Sequence, residues 1–185
     1  MIQIKNLGYA YDSKGSAGNY VLKNINMSLE EGRIYGLLGE NGVGKTTLLT
    51  LLCGLKKPLC GSIDTDGLKP YDREPSLLGS QYYLSDEVAA MNMKAREYAD
   101  NYGRFWGGFD MEKFIEIMGV FENDPQQKMN RMSFGQLKKT YIAFALACNT
   151  KYLFMDEPTN GLDIPSKAQF RKAMMKYTRE DSVIL

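Results

Sequence analysis

Histidine is missing from all 185 residues. Its absence excludes Ser-His-Asp and Cys-His catalysis, and histidine-ligated zinc, within this sequence. Cysteine is scarce: Cys53, Cys60 and Cys148 form no C-x-x-C pair and no metal-ligand spacing, so they read as free thiols used for packing in a reducing compartment. Long hydrophobic runs are lacking too. The longest, residues 141–148, falls far short of the ~18 residues that a membrane-spanning helix needs, so any membrane role leaves the spanning to a partner. The start, MIQIKNLGYAYDSKG, has neither the apolar core nor the cleavage site of a secretory signal. A formal net charge of +1 with no basic tract provides no field to gather nucleic acid, and none is expected as a partner.

What is present is an ordinary globular composition, 44% hydrophobic and 24% charged, in a chain long enough for one domain with a substantial core. Ile2, Ile4 and Leu7, then Val21 to Leu29 after a loop at residues 12–19, predict an antiparallel β edge. The apolar run 33–38 predicts a buried strand that ends in a glycine loop and is followed by a helix over 45–53, which Gly54 stops. Ile63 and Thr65 with the turn Asp66-Gly67 add another strand. From about residue 82 to 135 the character changes to Met, Tyr, Phe and charges at helical spacing, which predicts an inserted helical subdomain. A helix over 134–148, a strand over 152–155, a helix over about 165–179 and a strand over 182–185 complete an α/β reading with a parallel sheet.

Three places carry chemistry. Residues 39–46, Gly39, Glu40, Asn41, Gly42, Val43, Gly44, Lys45 and Thr46, match G-x-x-x-x-G-K-[ST] in full, between the predicted strand and helix, with Thr47 next in line. Glycines there let successive amides turn toward phosphate oxygens and the helix adds its positive end; Lys45 adds a point charge, and Thr46 a hydroxyl for Mg2+. The apolar strand 152–155 delivers Asp156 to the end of a sheet, where such folds place their ligands. Asp156 is a candidate to hold magnesium through its water shell. Glu157, the next residue, is a candidate general base for an attacking water, although an Asp-Glu pair is also a common solvated strand end. Ser133-Phe134-Gly135-Gln136 opens a helix; S-x-x-Q is a capping box, and the same end can serve as an anion site through Ser133 and the Gly135 amide.

Together these segments resemble the ATP-binding cassette (ABC) superfamily, in the family's order and over essentially the whole chain. Residues 132–136 are similar to its L-S-G-G-Q signature, residues 152–157 to its second Walker motif, and Asn160-Gly161-Leu162-Asp163 to its D-loop; Gln81 is similar to the Q-loop glutamine. The resemblance implies a P-loop NTPase core with an N-terminal antiparallel β subdomain and a helical insertion, and it implies ATP and Mg2+ as ligands. Lys45, Gln81 and Glu157 would serve catalysis, with Thr46, Gln81 and Asp156 at the metal. Ser133, Gly135, Gln136 and Asp163 would face nucleotide across a head-to-tail dimer with a second cassette. Tyr11 would stack on adenine, with Tyr9 on the same face if the strand is extended.

The implied function is ATP hydrolysis at the cytoplasmic face of a membrane, powering a separate transmembrane permease. An ABC-type scaffold or assembly factor that uses ATP to dimerise is the alternative. Phe134 departs from the signature's first glycine. The family's switch histidine should follow a strand such as 182–185, where the sequence ends; the expectation is a cassette lacking its C-terminal part, which binds nucleotide but hydrolyses little of it.

Overall fold

The computed structural model describes residues 1–12 and 20–185. The elements in order are β1 (Ile2–Tyr9), β2 (Leu22–Leu29), β3 (Arg33–Ile34), α1 (Lys45–Leu52), β4 (Cys60–Thr65), α2 (Pro75–Leu78) and β5 (Gln81–Leu84). There follow α3 (Ala95–Gly103), α4 (Met111–Val120), α5 (Phe134–Ala147), β6 (Tyr152–Met155), α6 (Ile164–Tyr177) and β7 (Val183–Ile184). The chain forms two compact units. One comprises Met1–Tyr83, Tyr152–Asp156 and Asp181–Leu185; the other comprises Leu84–Lys151 and Glu157–Glu180.

The first unit holds two sheets. In the antiparallel sheet β1 lies between β2 and β4, with Ile4 opposite Met27 on one side and Ile63 on the other. Ile2, Ile4 and Leu7 are all buried, although strict alternation would send Leu7 outward. The ladder shifts register between Ile4 and Leu7, where Asn6 takes a left-handed φ of 49°; the irregularity adds one residue and returns Leu7 to the core face. The second sheet has the order β3-β7-β6-β5, and β3/β7 and β7/β6 run parallel. Its buried Tyr152, Phe154 and Val183 share one apolar core with α1 and β1.

One expectation needs correction here. Residues 33–38 do not form a buried strand: β3 is two residues long, Ile34 is 64% exposed and Leu38 93%. Among the described residues β3 pairs with β7 alone, at the edge of its sheet, so half its backbone groups face away from a ladder. The run still performs its task of leading out of the sheet into the glycine loop.

The second unit is helical. It begins at Leu84, close to the expected 82, but it does not end at 135, because α5 and α6 pack into it. From Leu137 onward α5 is buried nearly all round, and a helix apolar on every side needs neighbours on every side. Phe144 meets Tyr98, Trp106 and Phe109 at ring separations of 5.0, 5.8 and 5.4 Å. Much of the expected Tyr and Phe enrichment is therefore core, while Phe105 remains exposed. Among the described residues no helix is long and apolar enough to cross a membrane.

Candidate functional site

The glycine loop between β3 and α1 is an open cradle. Gly42 and Gly44 have φ of 84° and 105°, a region costly for side-chain-bearing residues. Gly44 is held twice over. A Cβ there would also lie 2.9 Å from the Leu22 side chain and 3.1 Å from that of Val21, so glycine alone lets the loop lie on β2 and turn into α1. The first turn of α1 contains no acidic residue, leaving the positive end of the helix available to an anion. Lys45 folds back across the loop, where its ammonium donates to the carbonyls of Gly39 at 2.9 Å and Glu40 at 3.2 Å.

Thr46 and Asp156, 110 positions apart, are joined directly: Thr46 Oγ1 donates to Asp156 Oδ2 at 2.6 Å. Asp156 is buried at the end of β6, and the Tyr83 hydroxyl donates to the same oxygen at 3.4 Å. A hydroxyl and a carboxylate beside a phosphate cradle suit magnesium, a hard ion that takes few protein ligands and draws the rest from phosphate and water. Among the described residues no three His, Cys, Asp or Glu side chains cluster to hold a metal by themselves.

Gln81 does not join this pair, which corrects its assignment to the metal and the attacking water. It opens β5, is buried, and donates from Nε2 to the carbonyl of Cys53 at 3.1 Å. Cys53 caps the C-terminal end of α1, about 12 Å of helix away from the phosphate end. The reason is strand polarity: Gln81 begins its strand, whereas ligand groups gather where strands end. Tyr83, near the other end of β5, reaches Asp156 instead.

Glu157 is exposed in the second unit and has a left-handed φ of 44°, the kind of strained backbone that concentrates at functional positions. The signature segment contains the expected capping box. Ser133 Oγ accepts from the Gln136 amide at 3.2 Å, and Gln136 Oε1 accepts from the Ser133 amide at 2.9 Å. Both side-chain oxygens thus accept at the helix end, an arrangement that uses the Ser133 oxygen and not its proton; the Gly135 amide lies within the first turn of α5. Asp163 caps α6, its Oδ1 accepting from the Ser166 amide at 2.8 Å. Bonds from the Ser166 hydroxyl and then its amide hold the Asp163 carboxyl below the usual range.

Tyr11 lies beyond the end of β1, a residue 65% exposed, with its hydroxyl 2.9 Å from Thr47 Oγ1. The Lys56 ammonium covers one ring face at 4.2 Å. The Thr47 contact, then Lys56, lowers the phenol's pKa. Tyr9 is not a parallel platform: its ring meets Tyr11 edge-on, 5.3 Å away and at 85°. Tyr11 is thereby tied to the residue after Thr46, which places a ring near the cradle.

The sequence reading missed Asp86. Lys138 on α5 is completely buried, and its ammonium donates to Asp86 Oδ1 and to the Asp86 carbonyl, both at 2.9 Å. A lysine in a helix otherwise buried on that stretch was the available signal, but it does not say which carboxylate answers it. Asp86→Ala should cost about 3 kcal/mol, the lower part of the range for stranding a buried charge, or a thermal midpoint drop of about 6–12 °C. The double variant Asp86→Ala/Lys138→Met should recover most of this in calorimetry; a double variant as unstable as the single would show that the pair does not carry the effect.

A glycine loop of the phosphate-binding pattern after one strand, an acid at the end of another strand of the same sheet and an α/β fold define the P-loop class. Comparison with known proteins narrows the class. The ABC transporter sequence profile matches residues 22–160. Among curated proteins of Bacillus subtilis, the chain is similar to the ABC transporter ATP-binding protein YtrB, at 29% identity over all of this chain and 62% of YtrB. It is likewise similar to the ABC transporter ATP-binding protein NatA, at 30% identity over 89% of this chain and 70% of NatA. Among solved structures, the dimeric post-hydrolysis ATP-binding cassette MJ0796 with ADP and phosphate superposes at a TM-score of 0.82 and 26% identity, over all of this chain and 85% of that one. The chain belongs to the ABC transporter family, as an ATP-binding cassette with the family's ATPase fold. It spans under two thirds of YtrB's length.

Proposed function

We propose that this cassette binds Mg-ATP in the 39–46 loop and hydrolyses it to power a transmembrane permease, working with a second cassette at the cytoplasmic face of a membrane. The observation that supports this reading most is the 2.6 Å bond between Thr46 and Asp156, which brings the loop hydroxyl and the strand-end acid to one point. Lys45 and the loop amides bind phosphate oxygens; Thr46 and Asp156 would hold magnesium, Asp156 through water. A magnesium ion held there would supply charge to offset that of the phosphates. Glu157 takes a proton from water as its oxygen bonds to the γ-phosphorus, and the β–γ bridging oxygen leaves with ADP. Ser133 and the Gly135 amide present a second anion site, in the helical unit, to the nucleotide of the other cassette. YtrB and NatA are named as transporter ATP-binding proteins, which favours transport over a scaffold role.

Asp156→Asn tests the metal half of this reading. The amide oxygen can still accept from Thr46 but no longer carries charge. The magnesium concentration needed for ATP binding should rise about 10- to 100-fold, as for loss of an outer-sphere metal partner. Titration of magnesium against a fluorescent ATP analogue checks it, and an unshifted midpoint would remove Asp156 from the metal.

A further inference from the structure

Three segments of the helical unit meet at one carboxylate. Asp86, in the segment after β5, receives the Lys138 ammonium of the signature helix α5 on Oδ1 and on its carbonyl. Its two carboxylate oxygens also lie 3.4 and 3.3 Å from Asn160 Nδ2, in the turn between Glu157 and α6. The turn is closed locally by the Asn160 amide donating to the Glu157 carbonyl at 3.0 Å. A second contact joins the same two segments. Phe134, which stands in place of the signature's first glycine, lies against Gly161 so closely that a Cβ on Gly161 would come within 2.5 Å of Phe134 Cε1; Gly161 has φ of 73°.

We propose that Asp86 is a positioning residue that locks the 157–163 turn to the signature helix, with Asn160 as its arm and the Phe134–Gly161 contact as a second fastening. A lysine ammonium with no exposed surface cannot give up its counter-charge without a large penalty, so Lys138 keeps Asp86 fixed on α5. Charge-assisted acceptors of this kind are the stronger hydrogen-bond partners, and Asp86 has capacity left on both oxygens for Asn160. Glu157 and Asp163 therefore move with Ser133 and Gly135 as one body, and an ordering event at the signature helix is felt by the general base. Phe134, half-exposed, makes the same coupling from the other side, which gives the substitution of the glycine a purpose.

The inference rests on the proposed roles of Glu157 and the signature helix, and its test separates the two. Asn160→Ala removes the arm and leaves the Asp86–Lys138 pair closed; Asn160→Asp keeps the shape but sets a second carboxylate against Asp86. In hydrogen–deuterium exchange of the intact chain, peptides covering 157–163 should exchange about tenfold faster in both variants, as expected for loss of a hydrogen bond to a charged group, with an unchanged melting temperature. In single-turnover hydrolysis both should lose about tenfold in rate while half-saturation by ATP stays within about twofold, the pattern of lost transition-state positioning. Unchanged exchange would overturn the lock, and so would faster exchange with an undiminished rate. Absence of both ATP binding and single-turnover hydrolysis in the unmodified chain would instead defeat the functional reading, and the exchange experiment would still decide whether Asp86 holds the turn.

Discussion

Glu157→Gln is expected to retain ATP while losing hydrolysis by about 10²- to 10⁴-fold, the usual contribution of a positioned general base. The substitution keeps size and hydrogen-bonding capacity but cannot accept a proton at the pH of the assay. It should also spare the fold. Glu157 is exposed, and its bond to the Asn160 amide is made by the backbone carbonyl, which glutamine keeps. The left-handed φ of 44° is no worse for glutamine than for glutamate. Single-turnover phosphate release is the measurement, because it isolates chemistry from product release. In gel filtration with ATP and magnesium the variant should accumulate as a nucleotide-bound dimer. A rate loss below about tenfold would assign the proton to another group, and a dimer from neither form would refute the head-to-tail arrangement.

The glycine loop between β3 and α1 was legible because its requirements are local. Glycine at positions with φ above zero, a lysine and a hydroxyl at fixed spacing, and a flanking strand and helix all leave marks within residues 33–53. The strand 152–155 was legible for the same reason: four apolar residues followed by two acids show where a buried strand ends. Its observed bounds are the predicted ones. The capping box at Ser133 and Gln136 was equally visible, and the structure shows those side chains serving the helix end.

Gln81 was misread because a short apolar run does not reveal which end of the strand faces the ligand. Identity and approximate position suited a Q-loop; only the ladder shows that Gln81 enters the sheet where Tyr152 does, the Tyr152 amide donating to the Ser80 carbonyl at 3.0 Å. The Asp86–Lys138–Asn160 cluster was invisible for a different reason. Its members are 22 to 74 positions apart, and a charged pair leaves no periodicity: any of 22 acidic residues could have answered Lys138. The run 33–38 shows the converse error. Apolar composition predicts burial, but Ile34 and Leu38 lie on or beyond an edge strand, and composition does not report how many neighbours a strand has.

Lys45→Ala should weaken ATP binding by about 2 kcal/mol, roughly thirtyfold in Kd, for loss of one near-surface charge beside the phosphates. Its effect on turnover should be larger, because charge builds on the phosphoryl oxygens and the leaving group as the bond breaks, and a fixed cation stabilises that state most. The geometry indicates why alanine is a clean test. Lys45 is held by the carbonyls of Gly39 and Glu40, both in exposed loop residues, so water can replace the ammonium at those oxygens and the melting temperature should barely change. Lys45→Arg is the complementary variant: it keeps the charge, but its planar fork replaces a compact ammonium over the same two carbonyls, so affinity should fall between that of the native chain and alanine. Isothermal titration with ATP and magnesium reads both, and an unchanged Kd for Lys45→Ala would place the phosphates somewhere other than the 39–46 loop.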